Sequence, residues 1–178
     1  CQGVEGAYSQ KACEKIFSAP TILYCRDFES VFSAIEKGLC RYGILPIENS
    51  LAGSVTSVYD QMISRNFRIV RSARVKIDHT LIAPPGVRLE DIKEVYSHEQ
   101  AIQQCSAFLS QHKEWHVNVC TNTAAAAQMV ARSGRKDAAA ISSGHCAALY
   151  GLECLSSEIQ NNSNNHTRFI CISKKPEI

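Results

Sequence analysis

An α/β chain folded into two lobes is what this sequence predicts, on three observations. Strand-like apolar runs alternate with segments of helical period along its whole length, the pattern that lays helices against a sheet. Pro84-Pro85-Gly86 breaks the chain near its middle, and a second set of alternations follows. The last apolar stretch, Phe169 to Ile172, comes after an asparagine-rich connection and reads as a final strand returning to the first lobe. The predicted division is lobe 1 at about 1–77 plus 159–178 and lobe 2 at about 78–158, with a cleft between them.

Taken in order, Ala7 to Phe17 and Phe28 to Lys37 are expected as helices. In the second, Phe28, Val31, Phe32 and Ile35 form one apolar stripe, Asp27 caps the start and Gly38 ends it. Tyr42 to Ile47 is a short strand, Glu48 to Gly53 a polar turn, and Ser54 or Thr56 opens a helix toward Arg65. Phe67 to Ala83 reads as extended. Beyond the break come strand Glu94 to Tyr96, helix Glu99 to Leu109, strand His116 to Cys120 and helix Thr123 to Arg132. Strand Ala138 to Ile141 and helix Ser143 to Tyr150 follow, and the last strand begins at Thr167.

The 178 residues are 45% hydrophobic and 20% charged with a formal net charge of +2, an ordinary globular composition. No basic block stands out, so no nucleic-acid partner is expected. The densest basic stretch, Arg65, Arg68, Arg71, Arg74 and Lys76, alternates with Phe67, Ile69, Val75 and Ile77 and reads as a partly exposed strand. Nine cysteines are odd in number and loosely spaced, with no C-x-x-C pair and no histidine pair at ligand spacing, so no metal is expected. Free thiols in apolar segments act as small hydrophobes and imply a reducing, cytoplasmic setting. In such a setting the glycosylation-like triplets Asn161-Asn162-Ser163 and Asn165-His166-Thr167 carry no meaning. No apolar run is long enough to span a membrane and no export signal opens the chain, so no membrane partner is expected. Beginning at Cys1, the chain is expected to be an excised fragment or a processed product.

Polar clusters fall where strands end and helices begin: Glu48-Asn49-Ser50, Ser97-His98, Asn122-Thr123 and Ser142-Ser143. In open α/β sheets ligands bind beyond the carboxyl ends of strands, and helix N-termini there suit carboxylates or phosphates. Each cluster by itself reads first as an N-cap, worth about 1 kcal/mol of helix stability, while four of them in two lobes point equally to an anion-binding cleft.

Six motifs carry more than a pattern. Gly3-Val4-Glu5-Gly6-Ala7-Tyr8-Ser9 resembles the G-x-x-G-A/S-Y-S opening of the prephenate dehydratase family. Tyr42-Gly43-Ile44-Leu45-Pro46-Ile47-Glu48-Asn49-Ser50, with Gly53-Ser54 and Val58-Tyr59-Asp60 after it, resembles that family's Y-G-V-x-P-I-E-N-S block. Tyr96-Ser97-His98-Glu99-Gln100-Ala101 is similar to its Y-S-H-P-Q-A region, with Glu99 where proline is usual. Asn122-Thr123-Ala124, Leu149-Tyr150-Gly151-Leu152 and Thr167-Arg168-Phe169 complete the series in the expected order over nearly the whole chain.

The resemblance implies a two-lobed fold of the periplasmic-binding-protein type II-like class, with the active site in the inter-lobe cleft. It implies a lyase of phenylalanine biosynthesis that turns prephenate into phenylpyruvate, carbon dioxide and water. Aromatisation drives that reaction, so no cofactor and no metal are expected. Thr167 takes the place of the family threonine that helps the hydroxyl depart, as a positioned hydrogen-bond donor. Arg168 offers a planar fork for a carboxylate. Neighbouring strand residues face opposite ways, so either the strand is irregular at Thr167-Arg168 or Arg168 organises the site from behind by pairing with a protein carboxylate. Glu48 would repel a dianion and is expected protonated or paired, with Arg168 as the candidate partner. Asn49 and Ser50 are expected to orient substrate oxygens. Ser97 and Gln104 are expected to bind substrate from the other lobe, seven residues apart and on one helical face, and Thr123 to receive a carboxylate. Phe169 falls on the Thr167 face, near the substrate ring or in the core. His98 and His166 read as solvated turn residues.

Two alternatives stand beside this reading: arogenate dehydratase, with the same chemistry on the transaminated substrate, and a non-catalytic two-lobed module that captures an anion. Family members commonly pair into homodimers, and nothing in the sequence decides that here. They usually continue into a phenylalanine-sensing C-terminal domain, and some carry a chorismate mutase domain upstream. Neither fits within these residues, so the fragment is expected to be insensitive to phenylalanine.

Overall fold

The computed structural model describes residues 1–176. Two compact units are present: Cys1–Ile77 together with the segment from Asn164 onward, and Asp78–Ser163. The return to the first unit therefore falls five residues later than the expected 159. Ile159 to Asn161 are held in the second unit by hydrogen bonds: Ile159 N donates to His79 O at 3.0 Å and Asn161 N to Gln104 O at 2.7 Å.

In the first unit a four-stranded sheet runs in the order β2-β1-β9-β3, from β1 (Gly43–Asn49), β2 (Gly53–Ser54), β3 (Arg68–Lys76) and β9 (His166–Ser173), all antiparallel. Helix α1 (Tyr8–Ile16) covers one face, where Ala12 and Cys13 pack with Ile44, Val75, Ile77, Phe169 and Cys171. Helices α2 (Phe28–Glu36) and α3 (Thr56–Arg65) cover the other, where Val31, Phe32, Ile35 and Val58 meet Leu45, Ile47, Ile170 and Ile172. The period of two in Phe169-Ile170-Cys171-Ile172 thus feeds two cores from one strand. Burying each such Ile or Phe stabilises the unit by roughly 1.5–3 kcal/mol. Asp27 caps α2 by accepting from Ser30 N at 2.8 Å. Helix α2 lies so close to β1 that a Cβ at Gly43 would stand 2.8 Å from Ile35 Cδ1 and from Val31 Cγ1.

Of the basic segment, Arg65 ends α3, and Arg68 to Lys76 form the edge strand β3, which is largely exposed. A register shift between Ile69 and Arg71 breaks the expected alternation, so Ile69 faces solvent. The polar turn is shorter than expected because β1 continues through Glu48 and Asn49 to pair with β2.

The second unit holds a five-stranded mixed sheet in the order β6-β5-β7-β4-β8: β4 (Thr80–Ala83), β5 (Glu94–His98), β6 (His116–Cys120), β7 (Ala138–Ser142) and β8 (Glu153–Ser156). Strands β6, β5 and β7 are parallel, while β4 runs antiparallel to β7 and β8. The expected extended run Phe67 to Ala83 is two strands, β3 and β4, one in each sheet. Edge strand β8 had no period to betray it. The small side chains of β7, wholly buried, let α6 (Thr123–Ser133) pack on it through Ala124, Ala126, Ala127 and Val130. Helix α7 (Gly144–Tyr150) starts after its cap Ser143.

The expected helix Glu99 to Leu109 is two, α4 (Glu99–Gln104) and α5 (Ser106–Leu109). Asn161 is the wedge: its N–H takes the Gln104 carbonyl, and its Oδ1 accepts from Ala107 N at 3.0 Å. Both backbone groups would otherwise serve the helical ladder.

Candidate active site

Thr167 is the second residue of β9, at 9% exposure, with Asn49 and Val75 as its register partners on the flanking strands. The Asn49 amide is oriented without ambiguity, because Leu51 N and Ala52 N donate to its Oδ1 at 3.0 and 2.9 Å. Its Nδ2 must therefore face Asn165 Oδ1 (2.8 Å), Thr167 Oγ1 (3.0 Å) and the His166 carbonyl (3.2 Å). The Thr167 oxygen is thus an acceptor toward Asn49, and no acceptor among the described residues takes its proton. A nearly buried hydroxyl held in this way is a hydrogen-bond donor with its oxygen already placed.

Ser50 locks the adjoining turn. It exchanges bonds with His166, Ser50 N to His166 O and His166 N to Ser50 Oγ, both at 2.9 Å, and its hydroxyl donates to Asn164 O at 3.1 Å. Asn49 and Ser50, expected to orient substrate, spend their polar groups on holding Thr167 and the turn.

Arg168 and Glu48 are register partners and both exposed. Strand β9 is regular here, and the bulge lies in β1 between Pro46 and Glu48, so Arg168 faces away from Thr167. The expected ion pair is not formed: among the described residues Arg168 has no carboxylate within ion-pairing distance, and its other register partner is Arg74. Phe169 lies in the core beneath α1.

Ser97 and Gln104 do not share a helix face, since Ser97 ends in β5 and Gln104 is the last residue of α4. Ser97 is fully buried and donates to the Ile141 carbonyl at 2.7 Å, which ties β5 to β7. Half-buried Gln104 meets His79 Nε2 through its Oε1 at 2.8 Å. Thr123 is the first residue of α6, whose cap Asn122 accepts from Ala125 N at 2.7 Å. In the Ser97-His98 cluster it is the histidine that caps: Nδ1 accepts from Gln100 N at 3.3 Å, so that nitrogen carries no proton. Burial pushes the pKa of His98 down, against the pull of Glu99. His166 is half-buried rather than a solvated turn residue.

Two supports escaped the sequence reading. Asn165, completely buried, clamps Asn49 and takes Ile77 N on its carbonyl at 2.8 Å. Its place two residues before Thr167, on the same strand face, was the available signal. His79, 3% exposed, carried none beyond a polar residue at the start of an apolar run. Among the described residues no three His, Cys, Asp or Glu gather to hold a metal, all nine cysteines are free thiols, and no helix is long and apolar enough to cross a membrane.

The family model described as prephenate dehydratase matches residues 1–177. An arogenate dehydratase/prephenate dehydratase 1, chloroplastic, of Arabidopsis thaliana is 40% identical over 177 residues, covering 99% of this chain and 45% of that protein. A bifunctional chorismate mutase/prephenate dehydratase of Enterobacter agglomerans is 33% identical over 177 residues, 97% of this chain and 46% of its own length. The chain spans less than half the length of these relatives. A solved prephenate dehydratase from Arthrobacter aurescens, in complex with L-Phe, superposes with a TM-score of 0.90 at 30% identity, over 99% of this chain and 60% of that one.

Proposed function

This chain belongs to the prephenate dehydratase family, and from that premise we propose that it is a lyase converting prephenate to phenylpyruvate, carbon dioxide and water in phenylalanine biosynthesis. The observation that carries the reading is the Thr167 hydroxyl, its oxygen held by Asn49 and its proton unclaimed, within the family's T-R-F motif.

In this reaction the bond from the ring to its carboxylate breaks, carbon dioxide leaves, and the electron pair flows through the ring to expel the hydroxyl on the opposite carbon. The departing oxygen gains negative charge and takes up one proton to leave as water. A threonine hydroxyl is too weak an acid to ionise near neutrality, so its part is a hydrogen bond that strengthens as charge develops. One such preorganised donor is worth roughly 10²–10³ in rate. Asn49, with Asn165 behind it, aims that donor. Arg168 presents a fork not engaged by any carboxylate among the described residues, and that fork suits a substrate carboxylate. Glu48 is its register partner on β1. In the second unit, the Gln104 amide at the end of α4 and Thr123 at the start of α6 are the side chains we propose for substrate binding. The free thiols support a reducing compartment, which we take to be the cytosol.

Arogenate is the second reading, because the 40% identical relative is named for both substrates. The test gives the purified chain each substrate and follows phenylpyruvate and phenylalanine, beside a Thr167→Val variant. The expected result is turnover in the parent and a loss of roughly 10²–10³ in a folded variant. If neither substrate reacts, the lyase reading fails; if the variant keeps its rate, the role of Thr167 fails.

A further inference from the structure

We infer that His79 is a positioning residue for Gln104: a neutral ring with its proton on Nε2 holds the side-chain oxygen of Gln104 and turns the amide nitrogen away from the ring, toward substrate. This rests on the reading of Gln104 as a substrate contact.

The tautomer follows from what each atom can do. An amide oxygen only accepts, so the ring nitrogen 2.8 Å from Gln104 Oε1 must bring the hydrogen. With the amide reversed, its NH₂ would donate to Nε2 and the ring hydrogen would move to Nδ1. That atom is buried and has no partner among the described residues. A buried lone pair without a partner is tolerated better than a buried N–H without one. Burial also pushes the pKa of His79 down, opposed by its bond to Gln104 and by the charge of Asp78, which favours the neutral ring.

The ring is anchored on a fixed backbone. His79 N donates to Gln160 Oε1 at 2.9 Å, and Gln160 Nε2 donates to Asp78 Oδ1 at 3.2 Å. The His79 carbonyl accepts from Ile159 N at 3.0 Å. The main chain of Gln104 is held just as firmly, since Asn161 N occupies its carbonyl. A glutamine at a helix end otherwise spends side-chain entropy of about 1.5–2 kcal/mol when a ligand fixes it. His79 meets part of that cost before substrate arrives.

Two measurements on the 178-residue chain test this. The first is the nitrogen-15 spectrum of the His79 ring at neutral pH. A neutral ring protonated on Nε2 and coupled to the Gln104 side chain is expected; a proton on Nδ1, or a charged ring, overturns the inference whatever turnover shows. The second is steady-state phenylpyruvate formation from prephenate in His79→Leu, His79→Gln, Gln104→Ala and the His79→Leu, Gln104→Ala double variant. Losing the hold on a residue that binds a charged substrate should raise KM roughly tenfold in His79→Leu. Its kcat should stay within about twofold of the parent. His79→Gln, which keeps a donor of similar reach, should return most of the loss, and the double variant should be no worse than Gln104→Ala alone. Losses that multiply in the double variant, or a His79→Gln as poor as His79→Leu, overturn it. Should Gln104→Ala match the parent in kcat/KM, the assignment of Gln104 to substrate is what fails, and the ring spectrum still decides the hold of His79 on the amide.

Discussion

The two units hold their polar residues by different means. Around Thr167 the support comes from the sheet and the residues leading into it: Asn49 and Thr167 are register partners, and Asn165 and His166 immediately precede Thr167 in the chain. The bonds there back one another up, with Asn49 alone joining five neighbours. In the second unit the support comes from side chains reaching between segments far apart in sequence, His79 to Gln104 and Asn161 to the junction of α4 and α5. A register network keeps its geometry when one bond is cut, because the strands still pair. A single reaching side chain has no such reserve. Substitutions around Thr167 should therefore change chemistry more than stability, and those at Ser97 and Asn161 in the second unit the reverse.

Asn49→Asp presses hardest on this contrast. A carboxylate can still accept from Leu51 N and Ala52 N but cannot donate to Thr167, so it draws the Thr167 proton to itself. We expect kcat to fall by roughly 10² in a protein that still folds. If the variant instead unfolds, the first unit is not redundantly held. Ser97→Ala comes next: it removes a fully buried bond to Ile141 O and should lower unfolding free energy by about 1–3 kcal/mol, read as a urea midpoint shift. Asn161→Ala loses the bonds to Ala107 N and Ser106 Oγ and should cost about 1–2 kcal/mol, with amide exchange rising first across 104–109. Equal exchange there before and after would show that the helix break has another cause.

The smallest effect is an acid slope. The folded pKa of His79 and of His98 lies below the usual value near 6.5, so the unfolded chain binds more protons between the two values. Stability should be full above about 6.5 and decline as pH falls toward the folded values. His79→Gln should remove part of that slope and leave the part due to His98. A slope unchanged in the variant would mean that His79 titrates as freely in the folded chain as in the unfolded one.

Much of the fold was legible because periodicity reports burial directly. The stripe of Phe28, Val31, Phe32 and Ile35 is the buried face of α2, and alternation in Phe169 to Ile172 serves two cores. The misses share a cause: each needed a partner distant in sequence. Nothing local to Glu99–Leu109 announces a break that Asn161 imposes from more than fifty residues away. The alternation at Ile69 fails at a register shift against β9. Among the candidate site residues, the motifs name Thr167 and Ser97 alike, and nothing local in the sequence shows that the Ser97 hydroxyl donates to the Ile141 carbonyl of β7.

By itself, then, the sequence determined the α/β class, most helices and strands, and the family, since residue type, period and motif order are properties of the chain alone. Only the tertiary structure decided which polar side chains bond to which protein groups. A hydrogen bond needs its partner's position, and for Asn49, His79 and Gln104 that partner lies from about 25 to more than 100 residues away along the chain.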